Sequence, residues 1–305
     1  TFAWRGHSSL QNFFHHRYAT MKPQIFLLIA LVAAVHAQDP QPPDTIEVEP
    51  QYWKHSLVTA MTIAQVSFSD WAQGGENALA YSASANGNST YDWYPFTWSN
   101  SYKLAFGQTR LGGRETRKTD DKLDLESVLT YRLGSYINPY AAVTLKTQFA
   151  TGYRYDAAGN KTAISKFYDP AFLTQSLGFG YQITPQLITR LGYAIREIVT
   201  SEFTAFADDP TTPNEESTKI EDGMESVTEG KWKIDETMSF NGKLELFSSF
   251  RSPEKIIVRG DNTLTVKMGR IVTLIVNVQL INERRVTPRT QVKQTLAIGI
   301  SYTVL

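Results

Sequence analysis

The stretch Gln291–Leu305 reads Q-V-K-Q-T-L-A-I-G-I-S-Y-T-V-L, and its period decides the fold. Leu296, Ile298, Ile300, Tyr302 and Val304 fall on every second position, with Thr295, Ala297, Gly299, Ser301 and Thr303 between them. Successive side chains of a strand point to opposite faces, so the segment has one apolar face and one small, polar face. A membrane barrel turns the first to lipid and the second to its lumen.

Working back along the chain, the same alternation recurs between turn-forming residues in Leu57–Phe68, Ala78–Tyr91, Phe96–Thr109, Lys122–Gly134, Tyr140–Tyr155, Ala171–Ile183, Leu187–Phe203, Lys231–Phe240, Lys243–Phe250, Ile256–Met268, Ile271–Asn282 and Val292–Val304. A tilted strand needs ~9–11 residues to cross a bilayer, whereas soluble strands average ~5–6. Most of these segments meet the longer requirement. The expectation is an all-β chain, an antiparallel transmembrane barrel of about twelve strands.

Link lengths alternate as well. Short links fall at Asp92–Pro95, Ser135–Pro139, Thr184–Gln186, Asn241-Gly242 and Gly269-Arg270. Long ones fall at Arg110–Asp121, Asp156–Pro170, Thr204–Gly230 and Glu283–Thr290, with Ser69–Asn77 and Arg251–Lys255 in the long positions though shorter. Outer-membrane barrels have short periplasmic turns and long outer loops. Asn241-Gly242 is in addition a strong two-residue hairpin signal.

Charged residues sit opposite the apolar ones. Lys103, Asp124, Glu126, Arg132, Lys146, Arg154, Arg190, Arg196, Lys233 and Asp235 all take the polar face of their segments. A charge at the lipid midplane costs roughly 2–4 kcal/mol, so these ten are expected to face the lumen. Aromatics near strand ends suit interfacial belts: Trp93, Phe96, Trp98, Tyr140, Phe240 and Tyr302 at one end, Phe68, Tyr153, Tyr155 and Phe250 at the other.

Ahead of the barrel, Met21-Lys22 opens a secretory leader with the apolar run Ile25–Val35 and small residues at Val35 and Ala37. The reading is a non-native upstream extension over 1–20, a signal peptide over 21–37, a Pro-rich periplasmic linker over 38–53 and the barrel over 54–305. Removal of the leader takes Arg5, Arg17 and Lys22, leaving 27 basic against 30 acidic residues, a net charge of −3. That balance argues against nucleic acid as a partner. The chain has no cysteine, hence no disulfide framework.

Catalytic chemistry finds little to work with. Of five histidines only His55 follows the leader, at the foot of the first strand, where a solvated histidine is the plainer reading. No catalytic residue, metal site or cofactor is expected. The loops hold an acidic cluster (Asp208, Asp209, Glu215, Glu216, Glu221, Asp222, Glu225, Glu229) that could attract a divalent cation but lacks the spacing of a calcium loop. They also hold a basic one (Arg110, Arg114, Arg117, Lys118, Lys122) suited to lipopolysaccharide phosphates or to pairing with neighbouring carboxylates. The Trp71–Gly75 turn has two readings: glycines permit a tight bend while Trp71 anchors in the interface, or the tip contacts a ligand, though nothing beside it suggests a substrate.

Several motifs then resemble one family: S-D-W-A-Q-G-G-E-N (Ser69–Asn77), W-S-N (Trp98–Asn100), R-K-T-D-D-K-L-D (Arg117–Asp124), T-Q-F-A-T-G-Y (Thr147–Tyr153) and I-S-K-F-Y-D-P (Ile164–Pro170). They are similar to an uncharacterised outer-membrane β-barrel family of the Bacteroidetes and Chlorobi type, a domain of unknown function distantly like the salt-induced outer-membrane proteins. The resemblance implies a fold and a location, and marks Trp71, Gly74, Gly75, Asn77, Trp98, Asn100, Asp120, Asp121, Gln148 and Gly152 as structural motif positions. It carries no activity. Such barrels tend to end on an aromatic read by the assembly machinery, where this chain has Val304 followed by Leu305.

The expected partners are therefore the lipid bilayer, lipopolysaccharide and the barrel-assembly machinery. The expected role is a narrow pathway for small solutes across the bacterial outer membrane. The alternative is a non-conducting structural or partner-binding barrel whose lumen is plugged by paired charges.

Overall fold

The computed structural model describes residues 53–68, 75–134, 136–209, 211–269, 272–284 and 287–303, all within one compact unit spanning Pro50–Leu305. Among the described residues fourteen strands form: β1 Trp53–Val66, β2 Ala78–Trp93, β3 Phe96–Leu111, β4 Arg117–Tyr131, β5 Ile137–Thr147, β6 Gly152–Tyr155, β7 Lys161–Ser165, β8 Ala171–Thr184, β9 Leu187–Val199, β10 Thr218–Lys233, β11 Met238–Ser249, β12 Ile257–Met268, β13 Val272–Asn282 and β14 Gln291–Thr303. Twelve of them close an antiparallel barrel in the order β1-β14-β13-β12-β11-β10-β9-β8-β5-β4-β3-β2, and β6 and β7 form a separate hairpin. Closure comes from β1 and β14, which pair over four positions, Met61 opposite Ile300 through Val58 opposite Thr303.

The outer wall is apolar. Met61, Phe179, Leu191, Leu296 and Ile298 are more than half exposed, whereas inward Arg190, Arg196 and Glu126 are at most 8 % exposed. This polarity, inverse to a soluble core, is that of a barrel solvated by hydrocarbon. The rim where β1 begins and β14 ends, here the terminal rim, carries touching aromatics: Trp53–Trp98 at 5.4 Å, Trp93–Phe96 at 5.3 Å, Phe96–Tyr131 at 5.2 Å and Trp232–Phe240 at 5.7 Å between centroids. The opposite, loop rim carries the long connections.

Three expectations are corrected. The predicted strand Lys231–Phe240 with a turn at Asn241-Gly242 is replaced by β10 and β11, joined over residues 234–237, and Gly242 lies mid-strand between Gly230 and Asn262. Asp235 makes that turn by accepting from the N–H groups of Thr237 and Met238, both at 2.7 Å. Strand Tyr140–Tyr155 divides: β5 leaves the wall at Thr147, and Arg154 stands exposed on the β6–β7 hairpin above the loop rim. Finally, Tyr140 is not a belt residue, being 5 % exposed inside the barrel beneath the Arg190 guanidinium, 5.4 Å from its ring centroid.

A bisected lumen and a laced loop rim

The candidate site is the lumen, built from inward positions that alternate with the lipid-facing ones. Lys122 on β4 and Asp261 on β12 are diametrically opposed, with five strands between them in either direction. Yet Lys122 Nζ donates to Asp261 Oδ2 at 2.9 Å, and Lys103 Nζ on β3 donates to the same oxygen at 3.0 Å. Asn277 Nδ2 donates to Asp261 Oδ1 at 2.7 Å. Twelve tilted strands would close a circle about 24 Å across. An extended lysine touching an aspartate spans at most about 13 Å from Cα to Cα. The wall is therefore flattened at this level, and the strut divides the lumen into two lobes.

The first lobe, under β5, β8, β9, β10 and β11, is packed with charge. Glu126 accepts from Arg190 and Lys243, each at 2.5 Å. Lys243 also lies 3.3 Å from Glu229 and 3.3 Å from Glu245, which in turn pairs with Lys146. Nearer the loop rim Arg196 meets Glu283 at 2.7 Å and Glu221 at 3.6 Å, and Arg259 meets Glu283 at 3.1 Å. Small residues let the wall turn sharply here: a Cβ on Gly178 or Gly192 would lie 2.2 or 2.3 Å from a neighbouring strand's carbonyl oxygen. A cavity of about 40 Å³ remains, lined by Glu126, Lys146, Phe172, Arg196, Glu245 and Arg259 among others, enough for a few waters.

The second lobe, under β13, β14, β1 and β2, differs in kind. Its inward residues include Ala60, Thr62, Ser84, Asn86, Thr295 and Ala297, small and uncharged. Inward Val58, Asn86 and Asn88 are exposed, while inward Ser176, Ala194 and Val227 of the first lobe are 0–4 % exposed. Beyond the strut that separates it from the first lobe, the charge pairs that bound this lobe among the described residues lie at its ends. At the terminal rim Asp92 meets Lys54 at 3.5 Å and also pairs with Arg132. At the loop rim Lys293 on β14 reaches across to Asp120 on β4, 2.5 Å away, with side chains 38 % and 26 % exposed.

Of the ten charges expected in the lumen, Lys103, Asp124, Glu126, Lys146, Arg190 and Arg196 lie in this network, Asp124 with Lys122 at 4.0 Å. Arg132 and exposed Lys233 sit at the terminal rim, Arg154 and Asp235 in connections. The acidic cluster is split. Glu221 and Glu229 belong to β10 and pair inside the barrel, while Asp208, Asp209, Glu215 and Glu216 stay in the loop. There, hydrogen bonds from Thr211 hold Asp209 below the usual carboxylate range, and those from Thr212 and the Asp209 N–H do the same for Glu216. The loop carboxylates are satisfied by their own backbone and hydroxyls.

Most of the motif residues form a lacing of the loop rim. The Asn77 side chain accepts from Phe68 N–H at 2.7 Å, and its carbonyl accepts from Gly112 N–H at 2.6 Å. Asp121 accepts from the N–H groups of Phe149 and Ala150 at 2.7 and 2.9 Å and from Lys118 at 2.7 Å. Gln148 donates to the Lys166 carbonyl at 2.5 Å, and Lys166 pairs with Glu202. Asp169, 1 % exposed, accepts from Ser201 and Glu202 N–H at 3.1 and 2.7 Å. Gly75 takes φ +147, and Gly152 sits where a Cβ would be 2.5 Å from Ser165 Oγ. Much of the basic cluster is absorbed here: Arg114 with Glu76 at 3.7 Å, Arg117 over the Tyr155 ring at 4.0 Å, Lys118 with Asp121. Trp98 and Asn100 lie elsewhere, on the outer wall near the terminal rim. Trp71 and Gly74 fall outside the described residues, as do Val304 and Leu305.

Residues 63–153, from β1 into β6, match a family described as protein of unknown function (DUF3078). No curated protein matches the chain. Solved structures similar to it include the COG4313 outer membrane channel from Pseudomonas putida F1, 12 % identical, covering 87 % of this chain and 99 % of that one with a TM-score of 0.38. The translocator domain of autotransporter NalP from Neisseria meningitidis is 9 % identical over 92 % and 94 %, with a TM-score of 0.37. The Pseudomonas putida toluene transporter TodX is 10 % identical over 86 % and 92 %, with a TM-score of 0.28. Likenesses this distant carry no argument about this chain's role.

Proposed function

We propose that the chain is an integral outer-membrane barrel that provides a narrow pathway for small uncharged polar solutes, and that the pathway runs through the second lobe. The supporting observation is the contrast in exposure between the lobes: charge fills one, while Val58, Asn86 and Asn88 meet solvent in the other. A lining of hydroxyl, amide and methyl groups holds a polar solute weakly enough to release it, which conduction requires. The struts from Asp261 keep the two lobes apart and fix the width of the passage. Lys293 and Asp120 close it at the loop rim with one partly exposed ion pair. The apolar outer wall and the aromatic belt support the bilayer as solvent, and the leader expected from the sequence fits an outer-membrane destination.

Planar-bilayer recording of the purified barrel tests this. Brief, small conductance steps, with permeation of neutral sugars in vesicle swelling, support the pathway. A second reading, a non-conducting barrel whose laced loop rim is the working surface, draws on the packed first lobe. Silence over many verified insertions favours it and removes the first.

A further inference from the structure

We infer that the outer wall along β2 is a binding site for one diacyl phospholipid of the leaflet at the terminal rim. The inference rests on the membrane-spanning reading and not on conduction. Most lipid-facing positions are bulky, but those of β2 shrink at Ala83, Ala85 and Gly87 between Met61 on β1 and Leu104 and Phe106 on β3. The result is an apolar recess of about 530 Å³, lined also by Phe149 and Ile300. A second recess of about 500 Å³ follows towards the terminal rim, lined by Trp53, His55, Ser89, Trp98 and Asn100.

Tyr102 lies between the two on β3, where Leu104 lines the first and Asn100 the second. Its ring rests on Gly87, so close that a Cβ there would be 2.0 Å from it. Because Gly87 has no side chain, the ring can lie against the wall between the two recesses. Its hydroxyl is 3.0 Å from Ser89 Oγ, which is 2.8 Å from His55 Nδ1. His55 stacks on Trp53 at 5.7 Å, and Trp98 Nε1 donates to Ser127 at 2.8 Å.

Asn100, on the same lipid-facing side, is paired through its backbone with Ser89 and Ser127, while its side-chain amide has no hydrogen-bond partner among the described residues. An unpaired amide against hydrocarbon is unfavourable, and an accepting oxygen on a lipid relieves it. Four residues above the start of a tilted strand, Asn100 stands about 10 Å above the terminal turns, where headgroup meets hydrocarbon. The apolar recess lies deeper. Polarity along the groove thus follows a phospholipid read from acyl chain to phosphate: methyl and ring surfaces first, then Asn100 Nδ2 and His55 Nε2 as donors to the ester and phosphate oxygens.

The full chain, delipidated in detergent and supplied with phosphatidylethanolamine, is examined by native mass spectrometry. Wild type is expected to retain one lipid per barrel. Ala83→Leu/Ala85→Leu fills the recess with residues a lipid-facing wall tolerates, and is expected to lower the bound fraction about tenfold without loss of heat-modifiable folding. Asn100→Leu is expected to weaken retention while leaving the recess open. The proposal is overturned if wild type and variants lose lipid alike, which is ordinary annular contact, or if the groove holds a second copy, read as a dimer that the leucine pair abolishes. A chain that folds in detergent but retains no lipid sinks this proposal alone. A chain soluble without detergent sinks the membrane reading with it.

Discussion

Lys122 donates to Asp261 from the opposite wall of the barrel at 2.9 Å, and Asp261 accepts from Lys103 at 3.0 Å with its other oxygen held by Asn277. One carboxylate thus balances two ammonium groups and pins three strands, β3, β4 and β12, across the lumen. Its removal leaves two cations facing each other. Asp261→Asn keeps the shape and removes the charge. Partial solvent access tempers the penalty for an unmet charge, so a loss of about 1–3 kcal/mol is expected. Reversible urea unfolding in vesicles measures it, and Lys103→Met should restore part of the loss in the double variant.

Among the described residues, Lys293 and Asp120 form the ion pair that bridges the second lobe at the loop rim. Lys293→Ala and Asp120→Ala should each raise the conductance or the open time of single channels several-fold, and the double variant should match the singles because either change already removes the contact. Glu126→Gln, within the packed lobe, should leave conductance as it was. Higher salt should act in the direction of the Lys293 and Asp120 variants, since the pair is partly exposed.

Asp121 ties β4 to the chain leaving β5 by accepting two backbone N–H groups. Asp121→Ala leaves those donors unmet and frees Lys118, so protease should cut between Thr147 and Pro170 at much lower doses. The barrel should still migrate as folded in unheated gels. Loss of the whole barrel would instead make Asp121 a determinant of the wall.

The architecture was legible because alternation is a local property: each strand states its lipid face in its own residues, and link lengths place the rims. The site was less so. Whether Lys122 reaches Asp261 depends on how far the wall flattens, which follows from small residues such as Gly178 and Gly192 on other strands. Strand β10 was hidden for another reason. Its outward residues Ile220, Asp222, Met224, Ser226 and Thr228 alternate only weakly in hydropathy, while Glu221, Glu225 and Glu229 resemble a solvated loop. Their regular spacing of four, an inward face repeated every second pair, was the available signal. The motif residues resembled a list, and only the fold shows that most of them knot successive loops together.

Acid should loosen the loop rim over the first lobe. Burial alone would raise the Glu283 carboxyl, but Arg196 and Arg259 outweigh it and hold the group below its usual value. A lowered folded pKa contributes stability that is present above the unfolded value, near 4.3 for a free glutamate, and lost as pH falls through the folded one. Hydrogen-exchange protection, measured against the intrinsic rate at each pH, should therefore stay high at Glu283, Arg284 and Thr287 at neutral pH and fall only in that acid window. Glu283→Gln should show the low protection throughout and lose its pH dependence. Wild-type protection that stays flat through the window would mean that Arg196 and Arg259 do not depend on this carboxylate.

The same register logic gives the sharpest contrast available for β10 and β11. Asn241 and Gly242 lie mid-strand, paired on one side with Lys231 and Gly230 and on the other with Thr263 and Asn262. Two extra residues between them would displace half of β11 by two positions and put Lys243 and Glu245 out of reach of Glu126 and Lys146. Inserting the same pair within residues 234–237 lengthens only an exposed turn. The first insertion should abolish heat-modifiable folding, and the second should leave it intact with a midpoint within a few degrees of wild type. The reverse result would place the turn at Asn241-Gly242 and undo the first lobe, since Glu221, Glu225 and Glu229 would return to a loop.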